Sequence, residues 1–214
     1  MKATITEENI MLEILEIESG RFGELIGNES LDWEDTDGGY TNKKADRGGA
    51  TNWGVTAKTL KDLGIKTPVK QLTLLEAYNI YRDVYYVKSG ADRVIAFHPH
   101  LAKAMCNFAI HAGYNRAVKY LQGILNLQNN QGHIYKDISE DGAFGMRTLA
   151  ALKAFLKRRN RRGYSILMTE YLISIGAFYQ LLEKKDEEQE TFAFGWSRRV
   201  HDLFKAFFQD TACG

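Results

Sequence analysis

Three glycine-bearing turns, one aspartate, three threonines and two aromatics crowd into residues 38–56, GGYTNKKADRGGATNWGVT, with helix-like sequence on both sides. So much glycine is poor helix material and supports only short strands. The stretch is predicted to form a small twisted hairpin or pair of hairpins. Asp46 sits at a turn, and Gly48-Gly49 supply positive φ or close backbone approach. Two readings fit these residues equally: a structural cluster of β-turns, and the ribbon of an active site.

A chain of 214 residues makes one large or two small domains. Its 44% apolar and 12% aromatic content is enough for a sizeable core and excludes a disordered chain. A net charge of +1 provides no field that would drive the molecule onto a polyanion. Cys106 lies in apolar periodic sequence and Cys213 near the tail, so both are expected to stay unpaired. His98, His100 and His133 lack metal-like company, and neither a metal nor a cofactor is expected. The opening MKATITEENIMLEILEIES alternates acidic and apolar residues. It has neither the unbroken apolar core of a signal peptide nor the length of a membrane span. The expectation is a cytoplasmic start and no stable membrane insertion, so a role beyond the membrane would need a separate carrier.

Residues 6–19 are predicted to form the first helix, with Thr6 as N-cap and Ile10, Leu12, Ile14, Leu15 and Ile17 on a full apolar face. Glu18 closes it before the stop Ser19-Gly20. A glutamate there meets the negative helix end and apolar neighbours, and both disfavour its charged form. A proton donor to a leaving oxygen needs that condition. The plain alternative is a solvated glutamate of the kind expected at Glu13 and Glu16.

Thr56 or Thr59 starts the next helix, TAKTLKDLG, and Thr73 with Glu76 forms a capping pair for LLEAYNIYRDVYYVKS. Tyr78, Tyr81, Tyr85 and Tyr86 fall at helical spacing. At that spacing Tyr81 and Tyr85 read as packing residues. His98-Pro99 marks a soft boundary, dividing 1–97 from 98–214. Asn107 and His111 share a helical face, as a ligand contact or as a satisfied buried pair. LAALKAFLKRRNRR is an amphipathic helix with a basic end at Lys157, Arg158, Arg159, Arg161 and Arg162, and residues 165–182 form another helix. The basic end could draw anionic polymers or lipid head groups, or be a solvated face. Nucleic acid is excluded as a partner: the acidic EKKDEEQE compensates, and no groove-reading motif is present.

Gly38-Gly39-Tyr40, Asn42, then Ala45-Asp46, Gly48-Gly49-Ala50-Thr51-Asn52 and Gly54-Val55-Thr56 resemble the signature of glycoside hydrolase family 108, the phage-type N-acetylmuramidases. That family's pattern is a helix ending in Glu-Gly-Gly-Tyr, a turn, and Gly-Gly-Ala-Thr-Asn-Tyr-Gly-Ile-Thr. Here Asp37 occupies the glutamate slot, while the helix-terminal Glu18 lies nineteen residues upstream. Either residues 21–37 are an insertion and Glu18 is the general acid, or Asp37 has replaced it in place. Glu18 is favoured, because an aspartate is a methylene shorter and the helix must end at the acid.

The resemblance makes Asp46 the second carboxylate, stabilising positive charge on the sugar or activating water, with Thr51 (Thr56 less so) positioning that water. Tyr40 and Trp53 offer faces for sugar stacking, Trp53 equally being core filling, and Asn52 bonds an N-acetyl group or caps a turn. The tyrosine stripe resembles the family's cleft-wall segment, which implies a sugar-facing edge on Tyr81 and Tyr85. The second half resembles peptidoglycan-binding domain type 3. Gly113, Ala117, Leu121 and Gln122 match it, Asn107 and His111 depart from it, and Phe194-Gly195-Trp196 with Arg199-Val200 close it. Asp141-Gly142-x-x-Gly145-x-x-Thr148 is similar to the turn of peptidoglycan-binding repeats and is read as structural.

Together these imply a mainly α, lysozyme-like α+β fold with a small β-hairpin in the N-terminal part and a helical C-terminal part. The implied activity is cleavage of the β-1,4 bond between N-acetylmuramic acid and N-acetylglucosamine. Its partners would be peptidoglycan glycan strands. The molecule would be a monomer, acting in the periplasm after release by a holin, as an endolysin, or through a secretion machinery. The alternative is a wall-binding protein that kept the fold and lost catalysis.

Overall fold

Local signals at the first helix act as their pattern predicts. In α1 (Glu7–Ser19) the Thr6 Oγ1 accepts from the Asn9 N–H at 3.1 Å, and Gly20 ends the helix at φ 78°. A computed structural model describes residues 5–42 and 49–211. It divides into two units, Met1–Val84 and Tyr85–Gly214, and is mainly α-helical.

In the first unit, α1 buries Ile10, Met11, Leu12, Ile14 and Leu15. Strands β1 (Thr51–Asn52) and β2 (Val55–Thr56) pair antiparallel, Thr51 opposite Thr56 and Asn52 opposite Val55. Thr41 extends the ribbon through two 2.9 Å backbone bonds with Thr51. Residues 43–48, and with them Asp46 and Gly48, lie outside the described residues. Thr56, not Thr59, caps α2 (Ala57–Asp62), its Oγ1 accepting from the Thr59 N–H. The predicted capping pair opens α3 (Leu74–Tyr81): Thr73 Oγ1 accepts from the Glu76 N–H and the Glu76 carboxylate from the Thr73 N–H, each at 3.1 Å. Such a cap contributes about 1 kcal/mol. The chain leaves α3 through a π-helical turn, Arg82–Val87.

The second unit contains α4 (Ala91–Val94), α5 (Pro99–Ala112), α6 (Tyr114–Gln128), α7 (Met146–Lys185) and α8 (Glu190–Thr211). The apolar stretch from Leu101 breaks in two at Gly113, whose φ of 84° no helix continues. The two helices expected at 149–162 and 165–182 are joined in α7, and the kink falls inside the first of them, at Asn160 (φ 52°, ψ −148°). By length and composition α7 could cross a membrane. It nevertheless buries Leu167, Met168, Tyr171, Leu172, Ile175 and Tyr179, and packs with α5, α6 and α8. Trp196 of α8 stacks on Tyr179 at 5.1 Å. Gln122 is caged by the turn before α7: its Nε2 donates to Asp141 Oδ1, Ala143 O and Thr148 Oγ1, and its Oε1 accepts from the Gly142 N–H. Asn107 is buried. Burial and the Arg199 charge pull His111 down to about 4.

Candidate active site

The ribbon turn and the end of α1 meet at a glycine. A Cβ on Gly54 would lie 2.5 Å from both the Glu18 Cβ and the Tyr81 hydroxyl, and 3.3 Å from the Glu18 Cγ. Gly54 also sits at φ 72°, a region side-chain-bearing residues seldom adopt. Only glycine therefore lets the β1–β2 turn close onto the half-buried Glu18. Tyr81 is 3% exposed and donates its hydroxyl to the Trp53 carbonyl at 3.2 Å, so it packs the turn from below and shows no edge to solvent.

Residues 21–37 leave and return at one place. The chain departs α1 at Gly20, and a Cβ on Gly39 would lie 2.7 Å from the Ser19 carbonyl oxygen. The segment is thus an excursion whose two ends are in contact. Arg21 binds its neck: Nε meets Glu24 at 2.7 Å, Nη1 pairs with Asp35 and donates to the Asp37 carbonyl at 3.0 Å. The guanidinium also lies 5.1 Å from the Trp53 ring centroid. Burial alone would raise the Asp35 carboxyl, but the Arg21 bond and charge with the Asp37 N–H hold it below its ordinary range. The far part of the excursion is tied to α1 by Glu16, whose Oε1 accepts from the Leu25 and Ile26 N–H groups at 2.8 and 2.9 Å. Glu16 is therefore buried, not the solvated glutamate its helix position implies.

The remaining site residues separate into surface and interior. Asp37 is exposed, its N–H bonded to the Asp35 carboxylate. Tyr40, 39% exposed, offers a face to solvent. Thr51 is half-buried on β1, its backbone committed to Thr41. Trp53 cannot stack a sugar here: its ring packs on Gly38, where a Cβ would lie 2.2 Å from it, and it is 0% exposed. Asn52 is equally enclosed. Its Oδ1 accepts from the Gly38 N–H and its Nδ2 donates to the Thr36 and Leu72 carbonyls, so the amide braces the ribbon and does not reach a ligand. Tyr85 belongs to the second unit and is half-buried. Arg21 escaped the sequence reading, although it is the cation that opens a segment carrying Glu24, Glu29, Asp32, Glu34, Asp35 and Asp37.

The chain resembles known proteins along most of its length. Residues 30–113 match Glycosyl hydrolase 108 and residues 116–201 match a predicted peptidoglycan domain. The first match includes Asp37 and begins after Glu18. A local match that starts inside residues 21–37 is what either alignment of the acid produces. The expected boundary at 97/98 falls between the unit division at 84/85 and the change of family at 113–116. The solved structure of Brucella abortus SagA is 32% identical, with a TM-score of 0.55, over 77% of this chain and 82% of that one. No curated protein sequence matches significantly.

Proposed function

The chain belongs to the glycosyl hydrolase 108 family, a glycoside hydrolase directed at peptidoglycan, and we propose that it cleaves the β-1,4 bond between N-acetylmuramic acid and N-acetylglucosamine. Glu18 is the general acid that donates to the glycosidic oxygen. Asp46 stabilises positive charge developing on the sugar or orients water, with Thr51 positioning that water. The observation that carries this reading is the contact of Glu18 with the ribbon turn at Gly54. The touching ends of residues 21–37 support it further. With residues 21–37 removed, Glu18-Ser19-Gly20 would run directly into Gly38-Gly39-Tyr40, close to the order the family pattern has.

Digestion of purified sacculi, followed by borohydride reduction and mass spectrometry of the fragments, tests both parts. Reduced muramic acid ends are expected; reduced glucosamine ends would overturn the choice of bond. Glu18→Gln should lose about a thousandfold in rate, and Asp37→Asn no more than about threefold. The reverse pattern moves the acid to Asp37. A wild-type chain that sediments with sacculi but releases nothing is a binding protein instead.

A further inference from the structure

The basic run in α7 is broken at Asn160, whose φ of 52° with ψ −148° interrupts the helix between Arg159 and Arg161. Side-chain-bearing residues rarely hold such a conformation, and where they do, surrounding structure enforces it. Beside the break lies a cavity of about 290 Å³ lined by Gln128, Phe155, Arg159, Arg162, Gly163 and Ile166. Phe155 and Gly163 are buried, which gives it an apolar floor. A Cβ on Gly163 would collide with the Arg159 Cβ and come within 3.4 Å of the Phe155 ring, so the bare glycine lets the Arg159 stem lie across the helix. Among the described residues no carboxylate lies within ion-pair distance of Arg159 or Arg162.

We propose that this cavity is a carboxylate-binding site that takes the peptide stems of peptidoglycan, a reading that rests on the peptidoglycan-directed function above. Two unpaired guanidinium forks match the planar geometry of a carboxylate, which lysine ammoniums do not. The Gln128 amide can bond both ways to a peptide group. The apolar floor accepts an alanine methyl, and the volume is at the lower end of ligand sites, fitting a short segment. The only carboxyl on the glycan is the lactyl group of muramic acid, which the amide bond to a stem consumes, whereas the stems themselves end in free carboxylates. A lipid surface would be met by an exposed plane and not by a floored cavity.

Full-length protein sedimented with purified sacculi, with glycan strands stripped of stems by an amidase and then amidated at the freed lactyl carboxyls, and with phosphatidylglycerol vesicles separates the possibilities. Arg159→Gln/Arg162→Gln should weaken binding to sacculi at least tenfold. Arg158→Gln/Arg161→Gln removes the same charge outside the cavity and should change it less than twofold. Arg159→Lys/Arg162→Lys should stay weak, because it keeps charge without the fork. Binding to stem-free glycan should be the same for wild type and all variants. Free stem tetrapeptide should displace the wild type from sacculi, and its carboxyl-amidated form should not. Circular dichroism melting checks that each variant is folded, with Arg162→Gln alone replacing the pair if the pair is not. Equal weakening by both pairs, equal loss on stem-free glycan, or a loss confined to vesicles overturns the proposal. If the wild type cleaves and binds sacculi but the cavity pair changes nothing, only the cavity assignment fails. If the wild type neither binds nor cleaves them, the peptidoglycan reading fails and takes the cavity with it.

Discussion

Each unit is built around one glycine turn and one buried amide. In the first unit Gly54 closes onto Glu18 and Tyr81, and Asn52 ties Gly38, Thr36 and Leu72 together. In the second, Gly142 stands at φ 79°, a Cβ there would lie 2.7 Å from the Asn115 carbonyl oxygen, and Gln122 ties Asp141, Gly142, Ala143 and Thr148. The difference is where the carboxylate comes from. Asp141 belongs to its own turn and is spent on it: the Ala143 N–H, then Gln122, hold it below the ordinary carboxylate range. Glu18 is delivered to its turn by the end of another element. Identical turn chemistry therefore makes a scaffold in one unit and frames a candidate site in the other.

The largest effect should come from removing the amide of the scaffold turn. Gln122→Ala leaves the Gly142 N–H and the Thr148 hydroxyl without their buried partner, costing roughly 4 to 5 kcal/mol. Hydrogen exchange followed by mass spectrometry should show α6 and the start of α7 losing protection, while α1 and the ribbon keep theirs. Loss of protection across both units alike would mean that the two do not act as separate cooperative units.

Acid should divide the units almost as strongly. All five histidines lie in the second unit. Burial holds His98 down to about 3, its ring stacked on Tyr164 at 3.5 Å and its Nδ1 accepting from the Leu101 N–H; His111 is held at about 4. Their unfolded-state pKa is near 6.5, so between these values the unfolded chain binds more protons than the folded one. Stability is full above pH 6.5 and falls as the pH drops toward 4. At pH 5 the two histidines together cost about 4 kcal/mol. The Asp35 carboxyl, depressed in the fold, contributes above its ordinary 3.8 and is lost only below it. Exchange at pH 5, corrected for intrinsic rates, should show the second unit opening first; the first unit opening earlier breaks the comparison.

A third test sets the two glycines side by side. Gly54→Ala and Gly142→Ala each force a Cβ into positive φ and into a close neighbour, and each should cost roughly 2 to 3 kcal/mol. Only Gly54→Ala displaces Glu18, so it alone should lower kcat, by about tenfold, with KM little changed. Equal kcat for the two variants would detach the ribbon turn from the chemistry.

How much of this was legible from residues depends on how local the cause is. Thr6, Gly20 and the Thr73–Glu76 pair act within one helical turn, and their patterns read correctly. The Asp141 turn was legible as structure for the same reason. Glu16 was not, because what buries it is the path of an excursion without periodicity that returns nine and ten residues later. The break at Gly113 hides between two apolar periodic segments, and the kink at Asn160 between two basic ones. Trp53 could be read as core or as platform; its packing on Gly38, fifteen residues earlier, decides, and no side-chain pattern reveals that.

The smallest effect tests the neck of that excursion. Arg21 and Asp35 are each about a quarter exposed, 27% and 25%, so their pair is partly screened and is worth about 1 kcal/mol. Arg21→Gln should therefore lower the melting temperature by only about 3 °C. Its structural consequence should be larger than its energetic one, because one side chain joins Glu24, Asp35 and the Asp37 carbonyl. Limited proteolysis within residues 22–34 should speed up several-fold, and Asp35→Asn should do the same to a lesser degree because the Asp37 contact survives. If cleavage stays at the wild-type rate in both, Glu16 and not Arg21 holds residues 21–37 in place. Glu16→Gln, which weakens the acceptor of the Leu25 and Ile26 N–H groups without removing it, would then be the variant that opens them.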